Sequence, residues 1–122
     1  MMHPAPQSFC DNPQRRGFTQ MVDVLRGNWR ERQEPGALGA LRYRFGVWGD
    51  ELSLYALDTE GATVEPGILK AKLTGRKFIG TMADGRPTEG EVSKDNQSVA
   101  IAVRKSAADP TLEVRYLECL EP

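Results

Sequence analysis

The residues able to do chemistry are few and scattered. Histidine occurs once, at His3, in a stretch punctuated by Pro4, Pro6 and Pro13 with little apolar content. A charge-relay triad, a Cys–His pair or a multi-histidine metal centre needs a histidine held beside its partners, so one such chain does not assemble them. Cys10 and Cys119 lack the spacing of a redox or zinc pair. There is no Gly-x-Ser-x-Gly, no glycine-rich phosphate loop ahead of a helix and no calcium-loop spacing. Carboxylates remain. Asp50 with Glu51, Asp58 with Glu60, and Asp84 all lie in turn-forming sequence, the ordinary place for a solvated acid. A carboxylate inside a core would be a stronger candidate for catalysis. The apolar alternation places none there, with Glu65 beside Pro66 the least settled position. The expectation is a protein without a metal or cofactor, and more a binder than an enzyme.

Composition narrows the class. The chain has 122 residues, enough for one core, with 39% hydrophobic and 27% charged residues, as in a globular domain. The formal net charge is -1, and basic residues are not gathered in either half. Nucleic-acid affinity rests on phosphate neutralisation, so no nucleic-acid partner is expected. The "RYRF" run at 42–45 reads instead as core aromatics alternating with snorkelling arginines. No apolar run approaches the length of a membrane-spanning helix, and the N-terminus does not read as a signal peptide. The expectation is a soluble cytoplasmic protein with reduced cysteines, although a disulfide between Cys10 and Cys119 near the two chain ends stays open.

Positions 1–16 read as a mobile arm and 17–122 as a single domain. Phe18, Met21, Val22 and Leu25 recur at helical spacing, with Thr19 placed to cap and Gly27 to stop, which predicts a short helix over 18–26. From Trp29 onward the period becomes two. The inward set is Trp29, Tyr43, Phe45, Leu54, Leu73, Phe78, Met82, Ile101, Val103 and Val114. The breaks between runs carry turn chemistry, including "GD" at 49–50, "TG" at 74–75 and "ADGRP" at 83–87. "VEPG" at 64–67 predicts a bulge, break or edge. About eight short strands joined by hairpins predict an all-β antiparallel meander, closing into a barrel or folding as a sandwich. In-strand Gly46, Gly80 and Gly90 and the need to hide sheet edges favour the barrel.

"LRGNW" at 25–29, a short helical turn followed by Gly-x-Trp into the first strand, resembles the opening of the calycin superfamily, the lipocalins and their relatives. That resemblance implies a small lipocalin-like barrel whose base is plugged by Trp29. It also implies an arginine from the last strand behind the tryptophan, here Arg115. A second, local resemblance is that of "FIGTMADGRPTEGEV" at 78–92 to one unit of a MORN repeat, although a plain hairpin with a "DG" turn accounts for it.

These readings set functions in competition. The first is a non-enzymatic barrel holding a small apolar ligand among the ten inward residues. The second is an interaction module, such as an inhibitor, an immunity-type partner or an assembly subunit, with a core filled by its own side chains. The size of the inward residues favours filling. Trp48 and Tyr55, on the outer faces of neighbouring strands, are then the candidate interface for a homo-oligomer or another protein. The third is an enzyme working without histidine or metal.

Overall fold

The computed structural model describes residues 17–31, 42–58, 62–106 and 108–120, of which 64–66 and 120 are described as backbone only. The expected arm at 1–16 lies outside the described residues. Eight antiparallel strands follow one another round a closed barrel. They are β1 (Asn28–Glu31), β2 (Arg42–Trp48), β3 (Glu51–Leu57), β4 (Thr63–Thr74), β5 (Lys77–Met82), β6 (Pro87–Val92), β7 (Ser98–Arg104) and β8 (Leu112–Leu120). Closure comes from β1 pairing with β8, Trp29 opposite Cys119 and Glu31 opposite Leu117. The alternative of a two-layer sandwich is thereby excluded. β4 shifts register against β3 on both sides of Ala56, and Gly67 has φ 64°, so the Pro66 region is a bulge rather than a break. Residues 78–92 form the β5–β6 hairpin within the barrel.

The helix is shorter than the sequence predicts. α1 spans Met21–Val24, with Gln20 at its N-cap and no side-chain cap. The buried residues are Val24 and Leu25, while Phe18 and Val22 are exposed. Four residues cannot support a helix alone. This turn is held because Val24 and Leu25 drop into the barrel end with Met21 packed partly against the core, so of the predicted stripe Leu25 and Met21 face inward and Phe18 and Val22 do not. Gly27 does stop the turn, at φ 97°, and admits Trp29 to the core.

That end of the barrel is solid. The Trp29 indole N–H donates to the Leu25 carbonyl at 3.1 Å, and its ring meets Phe45 edge-on, with centroids 5.7 Å apart. Phe78 lies across from Gly90, where a Cβ would collide with its ring. Leu52, Val92, Val99 and Cys119 complete the plug. A buried polar clamp fastens the helical turn. Asn96 is fully buried; its amide donates to the Phe18 carbonyl at 3.1 Å and its Oδ1 accepts from Arg76 at 2.7 Å. Asn96 also holds φ 65°. Asn96→Ala is expected to cost about 2–3 kcal/mol, because it strands the partner groups and places alanine in a left-handed conformation. Asn96→Gly relieves the backbone and should cost about 1–2 kcal/mol from the lost bonds alone. Urea unfolding of the two variants separates the contributions.

Two expectations fail in this region. Val114 is 44% exposed and points outward with Leu112 and Tyr116, opposite Ala102, Arg104 and Ala100 of β7. The parity of β8 is set instead by Leu117 and Cys119, which bury in the plug. Cys119 is not a reduced thiol but is disulfide-bonded; the chain's other cysteine, Cys10, lies outside the described residues. No helix among the described residues is long and apolar enough to cross a membrane.

Candidate functional site

Because side chains alternate, fixing Leu117 and Cys119 inside also carries Arg115 and Glu113 inward. Trp29 does the same for Glu31 two residues along β1. These polar groups arrive at the barrel end away from the helix, where the core is not filled. A cavity of about 220 Å³ lies there. Its apolar wall includes Leu54, Leu69, Met82, Ile101, Val103 and Leu117, with Tyr43 and the small Ala56 beside them. Its polar wall is Glu31, Arg86, Glu113 and Arg115.

Of the ten residues expected to line an interior, five line this cavity: Tyr43, Leu54, Met82, Ile101 and Val103. Trp29, Phe45 and Phe78 are buried in the plug, and Leu73 is only half-buried against it. Val114 is outside. The barrel is thus filled at one end and hollow at the other, which neither sequence expectation stated. Arg115 does not back Trp29, whose partner on β8 is Cys119. It sits opposite Ile101 instead, with its guanidinium toward Glu31.

Glu31 is an interior carboxylate, where the apolar alternation predicts none. Its side chain is 8% exposed. Oε1 accepts a long bond of 3.4 Å from the Tyr43 hydroxyl. Oε2 lies 3.6 Å from Arg115 Nη1, within ion-pair range but beyond a hydrogen bond, and has no hydrogen-bond partner. The signal was available: Trp29 as a plug at one position forces Glu31 inward two residues later. A buried carboxylate normally accepts several bonds, so this one is under-supplied with donors.

Arg86 is differently placed. Its Nε meets Asp84 Oδ2 at 2.8 Å and its Nη1 donates to the Arg104 carbonyl at 3.3 Å. Asp84 also accepts from the Arg86 backbone N–H at 3.1 Å. That backbone bond is the main cause holding its carboxyl below the usual range; desolvation opposes it, and the Arg86 side chain adds to the lowering. Asp84 and Arg86 therefore form a closed pair on the β5–β6 turn.

Trp48 and Tyr55 stand on the outer face. Trp48 is 86% exposed, and Tyr55 is half-buried because its ring covers Gly46, where a Cβ would lie 3.3 Å from it. Trp48 borders a surface hollow with Ser53, Lys70, Lys72 and Ile79. The other turn acids, Asp50 and Asp58, serve locally: Asp50 is 3.5 Å from Lys72, and Asp58 accepts from the Ala62 N–H at 2.9 Å. Glu60 lies outside the described residues, and the Glu65 side chain is not described. Comparison of the chain with protein families, curated proteins and solved structures finds no match.

Proposed function

We propose that the chain is a non-enzymatic barrel that binds a small, largely apolar molecule in its hollow end. The observation that carries this is the cavity itself: about 220 Å³ directly above a tightly packed plug. Apolar residues normally interdigitate and leave few voids larger than a water, so a hollow of this size beside a dense half calls for an occupant. A dry cavity of about 150 Å³ holds benzene. The occupant here is therefore a substituted small ring or a short chain, well below the size of a drug-like ligand. The Gly-x-Trp plug, the helical turn beneath it and the closed meander support kinship with the calycins. The misplaced Arg115 counts against a strict lipocalin pattern. The disulfide at Cys119 supports an oxidising compartment over the cytoplasmic expectation.

A second reading, an interaction module, is favoured by Trp48 and by Ile79 at 68% exposure. Native mass spectrometry of freshly purified protein tests both. The ligand reading expects a fraction of monomer carrying a small added mass, absent from Val103→Phe, whose ring occupies the cavity while the plug stays intact. A dimer that Trp48→Ala dissolves, with no added mass on the monomer, favours the second reading.

A further inference from the structure

The polar wall of the cavity selects the ligand's chemistry, given the ligand-binding reading above. Two carboxylates face the cavity, Glu31 and Glu113, and two guanidiniums, Arg86 and Arg115. Arg86 is already neutralised by Asp84 at 2.8 Å. Glu113 is exposed to solvent, and Arg115 already lies in ion-pair range of Glu31. Arg115 is 40% exposed, so water screens it. Glu31 is the opposite case, more than nine-tenths buried, with one oxygen lacking any hydrogen bond. A buried carboxylate oxygen without a hydrogen bond is costly even beside an ion pair, here with Arg115 at 3.6 Å, and a donor that reaches it gains more than one meeting a solvated acid.

We infer that the ligand is a small primary amine. Its apolar body lies among Leu54, Leu69, Ile101 and Val103, and its protonated amino group donates to Glu31 Oε2. An anionic ligand would meet the buried Glu31 carboxylate, and like charges at close quarters oppose binding. A neutral alcohol supplies a donor but no charge, so it ranks between the two. Glu31 then acts as the specificity residue, Tyr43 and Arg115 fix its orientation, and the cavity volume limits the body to a short chain or single ring.

Calorimetric titration with hexylamine, 1-hexanol and hexanoate tests this on the unaltered protein, so no variant needs to fold for the ranking to be read. The expected order is amine, alcohol, acid, with the amine at least about tenfold tighter than the alcohol. In Glu31→Gln the amine should lose about tenfold or more while the alcohol changes less than about threefold. Alcohol or acid binding as well as the amine overturns the amine assignment and leaves the binding barrel standing. If none of the three binds, the binding reading falls and the assignment with it.

Discussion

Trp29→Ala is expected to lower the unfolding free energy by about 3–5 kcal/mol, the range for emptying a buried aromatic site. A domain of this kind has about 5–15 kcal/mol in total, so the variant sits near the edge of folding. The size of the effect follows from how much converges on one ring. Trp29 is fully buried, holds Phe45 edge-on and is the tie by which β1 reaches the Leu25 carbonyl of the helical turn. Its strand is also a closing strand, with four residues paired to β8 and one to β2. Losing the plug therefore weakens closure as well as packing. Trp29→Phe keeps much of the volume and loses the indole bond, so it should fall between wild type and alanine. Urea unfolding monitored by far-ultraviolet circular dichroism orders the three. Equal stability of Trp29→Ala and wild type would mean that the base of the barrel does not hold the fold together.

Gly80→Ala is expected to cost at least about 3 kcal/mol, at the upper end of overpacking penalties. A Cβ at Gly80 would overlap the Lys70 carbonyl and the Ala71 backbone. These are main-chain atoms of the paired strand and cannot swing aside as a side-chain end can. One added methyl group must then push β5 away from β4, at the bend where the barrel curls. Gly75 is the control. Its φ is 63° with nothing within 4 Å of an added Cβ, so alanine there costs only the left-handed backbone, about 1–2 kcal/mol. Thermal unfolding of the two variants should separate them clearly. Similar midpoints would show that glycine matters at 80 for chain flexibility rather than close approach.

The strands were legible because their alternation is strong in the middle of the chain. Tyr43, Phe45, Leu54, Phe78, Ile101 and Val103 all point inward as the period of two requires. β8 departs from the phase its apolar count predicts for a specific reason. Its apolar residues fall in both phases: Leu112, Val114 and Tyr116 in one, Leu117 and Cys119 in the other. A continuous strand can satisfy only one phase. Counting residues chooses the first, whereas the fold chooses the second, because the second phase reaches the dense plug and pairs with Trp29. The site follows from that choice. Once Leu117 is inside, Arg115 and Glu113 must face the cavity, and their charge is tolerated because that end is near the rim and Glu31 lies beside Arg115. The helical stripe holds only in part, with Leu25 and Met21 inward and Phe18 and Val22 exposed. Phe18 and Val22 are as apolar as Val24, but only a tertiary contact decides which face of so short a turn is buried. The extent of the hollow was not legible at all, since it depends on where large residues sit along the barrel axis rather than on how many point inward.

The central claim is that the end lined by Ile101, Val103 and Leu69 is hollow while the outer face of β8 lies in solvent. Methyl carbon–proton correlation spectra recorded under rising xenon pressure test it directly, because xenon enters apolar cavities and does not depend on the charge of any ligand. The account predicts saturable shifts at the methyl groups of Leu69, Ile101 and Val103, with Val114 and Leu112 nearly still. Interior methyl groups that do not move, or saturable shifts confined to Val114 and Leu112, would contradict it.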